Sequence, residues 1–284
     1  MAKAIFHVRS PWRLWHFYAA MALALLGVAV TWRAWVDIAN IAMRDEEASH
    51  VLLVPVVFAW LVWVRRFRMQ FCRPVGQWIG PVFIAAGGAL AMYGYANAIQ
   101  SVWHGGSVWV VLGCVLSVLG RQVFFAFLPA IFTLIFIIPV PAAIRLELAI
   151  PMQSVTAAAT QWIFELFGQM VDRSGNVLSI NGEQVRIVEA CNGMRMVFTL
   201  VMVSYAYAFG TPLRGYVRFL IVGLSPLTAV ACNVVRLIPT VWMYGYMPDS
   251  IADPFHSAAG WVMVGVAFLV LMGLLKLLKW MLLP

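Results

Sequence analysis

Charge is the scarcest commodity in this 284-residue chain. Charged residues make up 11% of it, and only 11 of these are acidic; a soluble domain carries about 25%. Cysteine is also rare. Cys72, Cys114, Cys191 and Cys232 are scattered, with no CxxC and no His/Cys cluster, which argues against a disulfide scaffold or an ordinary structural zinc site. No HExxH helix motif, internal repeat or low-complexity linker is present. The basic N-terminus runs into an apolar stretch without a small-residue cleavage site and a polar chain beyond it, so we expect a retained first span and not a signal peptide. What fills the chain is apolar: 63% of residues, with a mean hydropathy of +0.90. One water-soluble core cannot bury that much, since a domain of this size still exposes about a quarter of its surface. Disorder, a coiled coil and a secreted mini-protein are excluded on the same grounds. An all-α polytopic membrane protein remains.

The net charge of +8 suggests nucleic acid only until the basic residues are located. They lie between apolar runs and set topology, so no nucleic-acid partner is expected. The apolar runs predict about eight spans: residues 14–35, 50–64, 78–96, 102–119, 123–140, 194–209, 219–241 and 259–278. The second and sixth are short for the roughly 17–25 residues a crossing needs. With the N-terminus in the cytoplasm, 12 of the 19 basic residues fall inside. The other 7 fall outside with all 11 acids, for a formal charge of +12 inside and −4 outside. This segregation predicts that both termini of a multi-pass inner-membrane protein are cytoplasmic.

Residues 142–170 read differently. Arg145, Glu147, Gln153, Gln161 and Glu165 alternate with Leu146, Leu148, Ile150, Trp162 and Phe167, with Pro151 between. That pattern predicts one or two amphipathic helices on the membrane face or packed against the bundle. Beyond them, Asn181-Gly182 sits between residues 177–180 and 184–188, a signature of a two-residue hairpin turn. We expect a small outer β-hairpin there, and a single membrane-embedded domain over residues 1–284 with the amphipathic helices and hairpin at 142–189.

Three polar groups fall at one outer level of this topology. Glu189-Ala190-Cys191-Asn192-Gly193-Met194-Arg195 opens the sixth span. Unpaired N–H groups at a helix start favour a thiolate or receive an oxyanion, although Cys191 could equally be a small buried residue. Asn233 and Arg236, three apart on the seventh span, share a helix face. Arg236 either snorkels to headgroups or holds a developing negative oxygen. Cys232 reads as a packing residue. His256 begins the eighth span, and an imidazole can move the thiol's proton. His50, on the same side after Asp45-Glu46-Glu47, competes for that role; His104 is possible, whereas His7 and His16 lie toward the cytoplasm. Glu189 orients a histidine or is a solvated loop acid. Glu189, Cys191, His50 and His256 have no specific metal-ligand spacing.

Together these residues resemble the exosortase/archaeosortase family of membrane cysteine transpeptidases, from about residue 45 to residue 278. Asp45 to Arg66 resembles the family's acidic and Ser-His segment, and Pro139-Val140-Pro141 its proline-punctuated middle. Glu189 to Arg195 resembles its Glu-Ala-Cys-Ser-Gly nucleophile segment. Asn233 to Arg236 resembles its Asn-x-x-Arg, and His256 with Gly260 its late histidine before a glycine. Asn192 departs from the usual serine but keeps hydrogen-bonding capacity. The resemblance implies Cys191 as nucleophile, His256 as base and then acid, and Arg236 as carbonyl or oxyanion partner. Glu189, Asn192, Arg195, Asn233 and His50 would support them, with no metal and no cofactor. It implies as substrate an exported protein with a C-terminal sorting signal and a transmembrane tail at the outer face, and water, an amine or a lipid-linked group as acceptor. The rival readings are a transporter or channel, a non-cysteine membrane protease or acyltransferase, and a structural assembly protein.

Overall fold

In a computed structural model, residues 12–74, 78–186 and 193–282 are described. Glu189, Cys191 and Asn192 lie outside them. The chain forms two compact units. The first comprises residues 1–44 and Val51–Pro139, the second Asp45–His50 and Val140–Pro284.

In the first unit, helix α1 (Leu14–Val30) and helix α2 (Trp32–Arg44) meet at an 80° bend. Thr31 sits at the break, where its hydroxyl donates to the Gly27 carbonyl and accepts from Trp35 Nε1. The following segment, Glu47–Phe71, is apolar over 25 residues. It is longer than the sequence reading of 50–64 because 3-10 turns extend helix α3 (Val54–Arg65) at both ends. Helices α4 (Ile79–Ala96) and α5 (Gln100–Ala126) pack backbone to backbone. A Cβ added at Gly87 would stand 2.8 Å from the Gly106 carbonyl oxygen and from Val110 N. Glycines at these positions let the helices approach without interdigitated side chains, as in membrane helix pairs.

The expectation of eight spans is corrected here. Among the described residues six helical segments are long and apolar enough to cross a membrane, or seven if the bent α1–α2 pair is one span. The predicted span 123–140 does not form. Gly120, at φ +78°, breaks the helical path near the end of α5, and the chain continues as α6 (Leu128–Phe132) and a 3-10 turn to Ile137. Ten residues reach only about 15 Å at 1.5 Å each, half the hydrocarbon thickness.

The second unit begins with helix α7 (Ala142–Leu166), one continuous helix with Pro151 inside it. Ala149, Gln153, Thr156, Ala157, Thr160 and Phe164 are buried on one of its sides. Leu146, Ile150, Val155 and Trp162 are exposed. The helix is therefore inverted relative to a soluble one, with small and polar residues inward and apolar ones outward. Three strands follow, β1 (Asp172–Ser174), β2 (Val177–Ile180) and β3 (Glu183–Arg186). They form an antiparallel sheet in sequence order, not the isolated hairpin expected. The β2–β3 turn is the predicted one, with Asn181 at φ +55° and Gly182 at φ +84°. The extra strand forms because Arg173 and Ser174 pair with Leu178 and Val177. Leu178 and Ile180 then pack into a core with Phe164, Leu237 and Val241.

Helices α8 (Gly193–Gly210), α9 (Gly215–Tyr246) and α10 (Asp249–Leu282) complete the unit. Met196, Leu200, Ala229, Cys232 and Ala267 form the core shared by the three, so Cys232 is the packing residue expected.

Candidate functional site

Asn233 and Arg236, predicted to share a face of α9, are both buried, each 4% exposed. Burial of a guanidinium inside a membrane bundle is costly, which makes Arg236 a candidate functional position. Among the described residues Arg236 Nε and Nη2 and Asn233 Oδ1 have no hydrogen-bond partner. Asn233 lies against Gly193, where an added Cβ would stand 3.0 Å from Asn233 Nδ2. Gly193 thus lets α9 approach the first residue of α8, immediately after the segment that contains Cys191.

Gly260 of α10 completes the arrangement. A Cβ there would stand 2.5 Å from Arg195 Nη2 and 3.3 Å from Arg236 Nη1. Two guanidiniums, one from α8 and one from α9, therefore reach the same buried point on α10. His256 precedes Gly260 by four residues, about one helical turn, and so shares its side of α10. Its ring lies 6.4 Å from that of Tyr244, whose hydroxyl donates to Asp253 Oδ1 at 2.8 Å. Like charges brought this close repel strongly away from water, so the site is suited to an anion or a developing oxyanion.

A second cluster was only partly legible in the sequence. Asp45–His50 belongs to the second unit because Arg145 of α7 holds it. Arg145 Nη1 donates to Asp45 Oδ2 at 2.8 Å and lies 2.9 Å from Glu47 Oε2. Burial works against the Arg145 charge, but Asp45 and Glu47 outweigh it and raise its pKa. Asp45 Oδ1 also accepts from the Glu47 amide at 2.9 Å. His50 is buried. Its Nδ1 donates to the Glu47 carbonyl at 3.0 Å, so Nε2 is the lone-pair nitrogen in the neutral ring. The ring stacks on Phe198 of α8 at 5.1 Å, one turn along the helix from Arg195. His104, by contrast, is in the first unit and bonded to Asp37 Oδ2 at 3.0 Å.

The residues that sequence reasoning missed lie on α7. Gln153 and Thr156 line a cavity of about 10 Å³ with Gly193, Met194 and Asn233, close to the size of one water. Asn176 Nδ2 donates to Gln153 Oε1 at 2.9 Å. The signal was the spacing of Gln153, Thr156 and Thr160, three and four apart. Among the described residues no three His, Cys, Asp or Glu side chains gather as metal ligands.

Residues 40–273 match the family described as transmembrane exosortase (Exosortase_EpsH). No curated protein and no solved structure matches the chain. A match over that much of a multi-pass membrane chain is decisive: the chain belongs to the transmembrane exosortase family, membrane enzymes of protein sorting.

Proposed function

We propose that this protein is a membrane cysteine transpeptidase or protease that cleaves the C-terminal sorting tails of exported proteins. The observation that carries the reading is the meeting of Arg195 and Arg236 at Gly260, one turn from His256. Family membership supports the same reading. In this mechanism His256 takes the proton of the Cys191 thiol, and the thiolate attacks the scissile carbonyl carbon. The carbonyl π electrons move to oxygen, and Arg236 stabilises that oxyanion with Arg195 beside it. When the tetrahedral intermediate collapses, the C–N bond breaks and His256 returns its proton to the leaving amine. The thioacyl enzyme is then resolved by water, an amine or a lipid-linked group. Glu189, Asn192 and Asn233 support the nucleophile segment. The whole chain acts as one membrane-embedded domain of the inner membrane, with cytoplasmic termini and the active site at the outer face.

A second assignment of the base has its own observation. The Nδ1–H bond from His50 to Glu47 fixes the tautomer that a general base uses. The test is processing of a tagged substrate carrying a candidate sorting tail, in cells with matched membrane levels of each variant. Cys191→Ala is expected to abolish processing; processing at the wild-type rate overturns the thiol mechanism. His256→Ala and His50→Ala, run side by side, assign the base to whichever loses more rate.

A further inference from the structure

One end of the first unit carries cations and exposed rings without acids. Residues 48–146 contain no Asp or Glu, so Arg66, Arg68, Arg73 and Arg121 have no nearby acid in sequence. The 3-10 turn Arg66–Phe71 ends the span that began at Glu47. It is held from two sides. Trp12 Nε1 donates to the carbonyls of Met69 and Cys72 at 2.8 and 2.9 Å, and Gln122 Oε1 accepts from the Arg73 amide at 2.8 Å. These bonds bring the turn against the end of α5 although the two are about fifty residues apart.

A groove of about 590 Å³ opens there, with Arg68 and Arg121 both on its walls. Among the described residues neither arginine has a carboxylate partner. Phe71 and Phe125 line the same groove and are 79% and 65% exposed. Arg66, just before, lies over the Trp63 and Phe67 rings at 4.0 and 4.6 Å. Two exposed guanidiniums in one groove without a carboxylate partner attract an anion. Their planar forks match a phosphate, and exposed aromatic rings beside them suit the headgroup level of a bilayer.

We infer that this groove binds the headgroup of an anionic phospholipid. Its phosphodiester lies between Arg68 and Arg121, and its acyl chains run along Phe71 and Phe125. A protein partner with acidic side chains would satisfy the cations but leave the rings without an apolar neighbour; a phospholipid satisfies both. At either membrane surface, anionic headgroups attract basic side chains. The inference is independent of the chemistry proposed for Cys191.

Native mass spectrometry of the full-length protein tests it, titrated with phosphatidylglycerol or phosphatidylcholine of matched chains. Wild type should retain phosphatidylglycerol in preference to phosphatidylcholine. Arg68→Gln with Arg121→Gln should reduce that preference by about tenfold or more, and Arg68→Lys with Arg121→Lys should keep part of it, because charge remains while the fork is lost. The control Arg33→Gln with Arg44→Gln, on exposed α2 positions of the same unit, should bind like wild type. Equal retention of the two lipids by wild type overturns the site. So does an Arg68/Arg121 double variant that binds like wild type, or a control that loses as much. Millimolar inorganic phosphate should leave lipid retention unchanged; full displacement by phosphate would reassign the groove to a free anion.

Discussion

In the first unit, α4 and α5 meet through Gly80, Gly87 and Gly94 on one helix and Gly106 and Gly113 on the other. In the second, α7, α8 and α9 meet through Gln153, Thr156, Gly193 and Asn233, with Arg236 beside them. Both regions are buried helix contacts in a membrane protein, yet they are made of opposite materials. Lipid tails are as apolar as leucine, so nothing drives two apolar helices together except close packing and polar bonds. The glycine seam relies on close packing, and the Ser117 hydroxyl beside Gly80 is satisfied by the Gly113 carbonyl of its own helix. The polar layer carries atoms that the described residues do not pair, which a purely structural contact would avoid. A seam of the first kind is scaffolding; in the proposed function, a layer of the second kind is where a substrate completes the set.

Four substitutions break or sharpen this contrast. The largest effect on chemistry is expected at Arg236→Gln, which should cut processing by about 10²–10³-fold if the guanidinium is an oxyanion donor. Membrane levels and thermal stability should change little by comparison, read by immunoblot and by detergent-phase unfolding. Gly87→Ala should do the reverse. Its Cβ meets backbone atoms that cannot step aside, so stability should fall by about 1–3 kcal/mol, with processing per folded molecule unchanged. Gly260→Ala separates the two cases within the site. Its Cβ meets the ends of Arg195 and Arg236, which can swing away. Unfolding should be nearly unchanged, while processing falls between about tenfold and a hundredfold because the cations are displaced. A stability loss equal to that of Gly87→Ala, with activity intact, would make Gly260 another packing glycine. The smallest effect is expected at Arg145→Ala. Its pairs with Asp45 and Glu47 are about one-third exposed, so solvent screening limits the loss to roughly 1 kcal/mol or less. Processing should fall only to the extent that His50 contributes, and Arg145→Lys should restore part of it.

Much of the fold was legible because membrane crossing is a local property. The spans near 78–96, 194–209 and 219–241 need only length and apolarity, and each is found within a few residues of its expected place. The Asn181-Gly182 turn was legible because positive φ at both positions selects those two residues. The span at 123–140 was misread because hydropathy is blind to backbone direction. Gly120, Pro129 and Pro139 interrupt a run whose average remains apolar. The bend at Thr31 within the first span was invisible for the same reason, since it leaves the composition of both arms unchanged.

At the site, the sequence by itself determined which residues can do chemistry and which share a helix. Asn233 and Arg236 lie on one face because three residues on a helix subtend less than a turn's offset. It also determined the family, since the ordered motifs extend over most of the chain. Only the tertiary structure decided which helices bring those residues together. Arg195, Arg236 and Gly260 are up to 65 positions apart, and nothing local couples them. Their meeting depends on the absence of a Cβ at Gly260. Likewise Arg145 finds Asp45 a hundred residues away because the α7 face that faces inward is the polar one. Periodicity can indicate that such a face exists, but its partner is selected by packing, where each helix must satisfy its polar atoms against another.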